Sequence, residues 1–174
     1  LGLVDLDLDY ALGRVLGERY SIALEEARKS GDKTFLEKRK KELEKEFLEP
    51  ARKYLQRSRA LKTVAPAYVE ALIDYYNQRY DGALSHAQAA QKQQRSLYEA
   101  IKLEGDVYMT RALDLSEHGG AEQAKKTFGE AIAHYERAAD TGRSDYTVHE
   151  AIAEAYIRLE QVAYRHGGDP EPPM

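Results

Sequence analysis

Five histidines, His86, His118, His134, His149 and His166, are the residues of this chain best placed by type to ligate a metal or to move a proton. His149-Glu150 opens like the zinc-protease helix motif, in which two histidines one turn apart hold the metal and the glutamate acts as base. Position 153 is Ala where the second histidine belongs, so the motif fails. A carboxylate-bridged two-metal site needs matching Glu-x-x-His pairs on facing helices; neither Glu130 with His134 nor Glu99 with its neighbours has that spacing. Cysteine is absent, which removes disulfides and thiolate ligands and points to a reducing, cytoplasmic setting. There is no glycine-rich phosphate loop, His-Arg-Asp loop or Asp-Phe-Gly. The expectation is a chain without catalytic residues, cofactor or metal.

Charge offers a second chemistry. The 174 residues carry a formal net charge of −4, unevenly spread. Between Glu25 and Lys62 stand 13 basic and 8 acidic residues, leaving 13 basic and 22 acidic in the remainder. The basic stretch Lys38–Arg59 could meet a nucleic acid or an acidic small molecule. Its interleaved carboxylates, Glu42, Glu44, Glu46 and Glu49, instead favour a solvated helix face laced with i,i+4 pairs and disfavour nucleic acid. Thirteen tyrosines without a tryptophan fit packing filler with a hydroxyl at the rim better than a ligand cage. No apolar run reaches the roughly 20 residues that cross a bilayer, so no membrane partner is expected. The chain starts at Leu1, which reads as part of a longer protein.

What would position such residues is a repeat. Residues 80–108 align without a gap on 128–156, an offset of 48. Ala83 meets Ala131, His86 meets His134, Ala90 meets Ala138, and Tyr108 meets Tyr156; with Arg95, Ser96 and Tyr98 the identities number seven of 29. About two would be expected if types matched at roughly one in fifteen. A period of this size marks stacked supersecondary units, none of which can bury its apolar face alone. His86 and His134 therefore share a role, expected to be a polar contact between units.

The elements are all helical. A first helix is expected over Asp9–Lys29, with Leu12, Val15, Leu16, Ala23, Leu24 and Ala27 inward, closed by Gly31, with Asp32 capping the next. That second helix contains Pro50, which should bend it. Pro66 opens a third helix with Val69, Leu72, Ile73 and Tyr76 inside. Four more follow: Tyr80 to Gln94, Leu97 to about Leu115, Ala121 to Ala139, and Thr147 to Arg165, the last capped by Ser144 or Asp145. Short turns make neighbours antiparallel. Three regions result: a helical hairpin over 1–62 that caps or degenerates the repeat, repeats over 63–168, and a proline-rich stub over 169–174.

In its small and aromatic spacing the pattern resembles the tetratricopeptide repeat. Gly105 with Tyr108, and Ala153 with Tyr156, match that family's first helix; Ala131, Tyr135 and Ala138 match its second, as Ala83 and Ala90 do more loosely. The departures are Ile101 and His149 at the usual tryptophan position and the missing closing prolines. The resemblance implies an all-α right-handed superhelix of about seven helices and a groove lined by first helices. Carried over, that groove comprises Glu99, Lys102, Asp106, Met109 and Thr110, then Thr147, Glu150, Glu154, Ile157 and Arg158. It is mainly acidic, so a Lys- or Arg-bearing protein or peptide is the expected partner.

From about Ala11 to Pro170 the chain also resembles the repeat region that follows the catalytic domain in some bacterial serine/threonine protein kinases. The stretches that carry this are Leu12-Gly13-Arg14, Glu18-Arg19-Tyr20, Glu49-Pro50-Ala51-Arg52, Arg79-Tyr80, Leu103-Glu104-Gly105-Asp106 and Gly142-Arg143-Ser144-Asp145. This implies a recognition or regulatory role beside a kinase. The competing readings are a helical bundle binding a small molecule or nucleic acid through 38–59, and a self-associating scaffold.

Overall fold

Asp5 starts the first helix by accepting a hydrogen bond from the Leu8 amide, and from there the computed structural model describes residues 5–165. The protein is all-α, with no strand among those residues. In chain order the helices are α1 (Leu6–Arg28), α2 (Lys33–Leu43), α3 (Glu49–Arg57), α4 (Pro66–Tyr76), α5 (Tyr80–Gln93), α6 (Tyr98–Glu117), α7 (Ala121–Thr141) and α8 (Tyr146–Arg165). A π turn over Glu44–Leu48 joins α2 to α3 without a break. That is how the chain accommodates Pro50. The ring would clash with a carbonyl one turn back in a regular helix, and the wider turn places proline at the start of α3 instead. The stub at 169–174 lies outside the described residues.

Two compact units emerge, one ending at His86 and the other beginning at Ala87. In the first, α1 packs on α2, α3 and α4. Its turns follow local chemistry. Gly31 takes φ +69°, the left-handed region that favours glycine, and Asp32 accepts from the amides of Thr34 and Phe35.

The inner face of α1 departs from expectation. Asp9, Gly13, Gly17, Tyr20, Leu24 and Ala27 are buried, whereas Val15 is exposed. Glycines carry this contact because they let the backbones close. A Cβ on Gly13 would lie 2.7 Å from the Leu55 side chain, and one on Gly17 would overlap the Tyr76 ring. The buried Asp9 carboxylate lies on the same face, its Oδ2 2.9 Å from Arg57 Nε in a charge contact that lacks hydrogen-bond alignment. Burial and the nearby Glu44 charge push the Tyr20 phenol upward. On α4, Val69, Leu72, Ile73 and Tyr76 are buried as expected.

In the second unit α6 pairs with α7, and α7 with α8. α6 and α7 run antiparallel: Gly105 faces Tyr135 while Tyr98 faces Gly142. The core gathers Met109, Ala112, Ala124, Phe128, Ala131, Ile132 and Tyr135 with Ala155 and Val162 of α8. A smaller cluster holds Ile101, Ala138 and Val148.

Asp145, rather than Ser144, caps α8. It accepts from the Thr147 amide at 2.9 Å and the Thr147 hydroxyl at 2.8 Å, and the Tyr98 hydroxyl donates to its other oxygen at 3.1 Å. Desolvation alone would raise this carboxyl, but the Thr147 and Tyr98 hydrogen bonds and the Lys102 charge outweigh it and hold Asp145 below the ordinary aspartate range. A depressed carboxyl stabilises fully above its unfolded value, about 3.9, and loses that contribution as pH falls through the lower folded value. Asp145→Ala should therefore cost about 1 kcal/mol at pH 7. The gap to the parent should shrink below about pH 4, which urea unfolding at the two pH values would check.

Candidate functional site

The expected packing positions divide sharply between the repeats. Ala83, Ala90, Ala131 and Ala138 are all fully buried, so both copies of the second helix use their alanines for close approach. On α6, Gly105 is buried beneath Tyr135, whose ring would stand 2.5 Å from an added Cβ. Tyr108 stacks on His134 with centroids 5.1 Å apart.

On α8 the corresponding expectation fails: Ala153 and Tyr156 are exposed. α8 packs instead through Val148, Ala155 and Val162, with Ile152 and Leu159 alongside. The reason is topological. In α6 this face is covered by α7, and among the described residues no helix follows α8 to cover its own. Tyr156 keeps one tie, donating to Glu136 Oε1 at 3.1 Å, and that hydrogen bond raises its phenol.

The ten groove candidates also divide. On α6, Lys102 Nζ lies 3.1 and 3.2 Å from the two Asp106 oxygens, and the Tyr135 hydroxyl donates to Asp106 Oδ1 at 2.9 Å. The same ammonium stands 5.9 Å from the Tyr135 ring centroid. Thr110 donates its hydroxyl to the Asp106 carbonyl at 2.9 Å, and Glu99 is half-buried. Met109 is a correction: it lies in the core rather than on a groove, because it shares the α6 stripe with Gly105 and Ala112 that α7 covers. The α6 portion is thus largely satisfied from within.

On α8 the set is open. Thr147 is spent on Asp145, but Glu150, Glu154 and Ile157 are exposed, with Arg158 paired to Glu154 at 3.3 Å. Glu150 forms no ion pair with a described residue. Of the carboxylates among the ten candidates, those on α8, Glu150 and Glu154, are the exposed ones.

Sequence reasoning missed two buried carboxylates. His86 Nδ1 lies 3.0 Å from Asp74 Oδ2, and His134 Nδ1 lies 2.9 Å from Glu104 Oε2. Glu104 also accepts from Gln91 Nε2 at 2.8 Å, and Asp74 from Arg79 Nε at 2.8 Å. The two histidines do share a role, but each contact ties a second helix to the first helix of its own hairpin rather than linking repeats. No alignment signal pointed to the partners, since Asp74 and Glu104 stand 30 residues apart while the histidines stand 48 apart. No group of three or more potential metal ligands occurs among the described residues.

The basic stretch 38–59 presents both signs. Arg39 pairs with Glu42 at 3.0 Å, Arg57 with Asp9, and Arg59 with Glu70, and a shallow depression on α2 is lined by Glu37 and Glu42 as well as Lys38, Lys41 and Lys45. Among the described residues no helix is long and apolar enough to cross a membrane. No protein-family model, curated protein or solved structure matches this chain.

Proposed function

We propose that this chain is a non-catalytic, tetratricopeptide-like module that binds a protein or peptide, acting in the cytoplasm as the recognition or regulatory region of a bacterial serine/threonine kinase. The kinase context rests on the sequence resemblance alone. The observation that carries the binding role is the open acidic face of α8, where Glu150 and Glu154 stand exposed beside Ile157 on a helix held rigidly from behind by Val148, Ala155 and Val162. An exposed mixture of carboxylate and apolar surface on a packed scaffold suits a ligand that supplies Lys or Arg with an aliphatic neighbour. The equivalent burial of Ala83 with Ala131, and of Ala90 with Ala138, supports the repeat assignment.

The test is a peptide array of defined Lys/Arg-bearing and Asp/Glu-bearing sequences probed with the parent chain and with Glu150→Lys/Glu154→Lys. The parent should prefer basic peptides, and the double reversal should weaken their binding about ten-fold or more, since each tenfold needs only about 1.4 kcal/mol. An unchanged preference would move the binding site off α8.

A further inference from the structure

One face of α8 is built like a seam. Tyr146, Glu150, Ala153, Ile157, Glu160 and Tyr164 follow each other at alternating spacings of four and three, which aligns them along one side of a helix. All six are exposed; Tyr146, Ile157 and Tyr164 retain 70, 54 and 77% of their surface. Scattered apolar residues on a surface are ordinary, but here Tyr146, Ala153, Ile157 and Tyr164 share one side of a single helix, with Glu150 and Glu160 between them.

The internal repeat says what such a stripe is for. Shifted by 48, the first three become Tyr98, Lys102 and Gly105 of α6; the same offset carried past the aligned stretch, along the same two helices, gives Met109, Ala112 and Ser116. There the stripe is occupied, because α7 lies along it. Tyr135 rests on Gly105, Met109 and Ala112 are buried with Ala131, and Gly142 approaches the Tyr98 ring to 2.5 Å from its Cβ position. α8 keeps the features that seat a helix: a small residue at 153 for 105, an aliphatic at 157 for 109, and the same tyrosine at the start. No described helix lies on it.

Charge identifies the occupant. Where α6 has Lys102 and Ala112, α8 has Glu150 and Glu160, so the seam carries two carboxylates with no ion-pair partner among the described residues. A second copy is a poor fit. The stripe reads nearly the same in both directions about Ala155, so antiparallel pairing of two α8 helices would set Glu150 against Glu160 of the other copy. Parallel pairing would set each glutamate against itself. We infer that the outer seam of α8 docks, in trans, an amphipathic helix of the α7 type, small–aromatic–small at spacings of four and three, bearing basic residues opposite Glu150 and Glu160. This deepens the peptide-binding reading above and rests on it: the seam shares Glu150 and Ile157 with that face, leaves out Glu154, and takes a helical ligand.

A synthetic peptide with the sequence of residues 121–142 serves as probe, in a basic version (Thr127→Lys, Ala139→Lys) and an acidic one (Thr127→Glu, Ala139→Glu). The register of α7 on α6 places these two positions near the equivalents of Glu160 and Glu150. Titrated by fluorescence anisotropy against the full chain, the basic probe should bind about ten-fold more tightly than the acidic one, the product of two favourable and two unfavourable charge contacts. That preference should vanish in Glu150→Gln/Glu160→Gln. Ala153→Arg should abolish binding of the basic probe without altering the thermal unfolding of the chain, because position 153 is exposed. Equal binding of the two probes, indifference to Ala153→Arg, or a sedimentation dimer dissolved by Ala153→Arg would overturn the proposal, the last in favour of a second copy. Glu154 lies outside the seam. Basic-probe binding that needs Ala153 but ignores Glu154→Lys therefore upholds the seam against the groove, and the reverse pattern upholds the groove alone.

Discussion

His134→Leu should destabilise the second unit by about 3 kcal/mol, because it strands the Glu104 carboxylate where water cannot reach it. Glu104 has 3% of its side chain exposed and His134 has 16%, so this contact is made in a largely dry setting between α6 and α7. Gln91 remains on the other oxygen, which keeps the loss at the low end of the 3–5 kcal/mol typical of broken buried pairs. Replacing both partners, as Glu104→Leu/His134→Leu, should recover most of the loss, since no charge is then left buried. The equivalent change in the other hairpin should behave differently. His86 is 43% exposed and Asp74 keeps Arg79, so His86→Leu should cost less than about 1 kcal/mol. Hydrogen exchange resolved by helix is the right measurement, because two compact units need not unfold together. Equal losses at the two histidines, or a double variant no better than His134→Leu alone, would mean that burial of Glu104 is not what the histidine serves.

Gly17→Ala should lower stability by about 1–3 kcal/mol, although alanine is intrinsically the better helix former by about 1 kcal/mol. The added methyl would enter the space of the Tyr76 ring, which is buried and donates its hydroxyl to the Arg14 carbonyl at 3.4 Å. That ring cannot swing into solvent without losing the contact between α1 and α4. Gly129→Ala supplies the control. Gly129 also sits within a helix, yet nothing lies within 4 Å of its would-be Cβ and the residue is exposed. There the same substitution should stabilise by about 0.5–1 kcal/mol. Opposite signs for one chemical change, read as opposite shifts in the urea midpoint, would establish that Gly17 is selected by approach distance. Two shifts of the same sign would leave backbone propensity as the explanation and remove the close contact from the account of α1.

The same close approach explains where the sequence was hard to read. On α1, counting apolar side chains leads to Val15 and misses Gly13 and Gly17, because a glycine contributes by lacking a side chain and so leaves no mark in a hydrophobic pattern. Met109, Ala153 and Tyr156 show the same limit from another side. Their residue types fit a repeat template, but exposure depends on whether a neighbouring helix is present, and this differs between α6 and α8. Asp74 and Glu104 were invisible for a third reason: a charged residue in a helix is ordinarily solvated, and only its distance to a histidine on another helix reveals otherwise.

Helix identity, the turns at Gly31 and Pro66 and the cap at Asp32 were all decided within a few residues of chain, whereas the choice of Asp145 over Ser144 appeared only in the structure. Capping, φ restriction and 3.6-residue periodicity are local interactions that need no distant partner. Which face of each helix became interior, which carboxylates were desolvated, and which stripe was left bare were decided only when the helices came together. Burial belongs to pairs of surfaces, and the seam on α8 differs from its copy on α6 by what lies across from it.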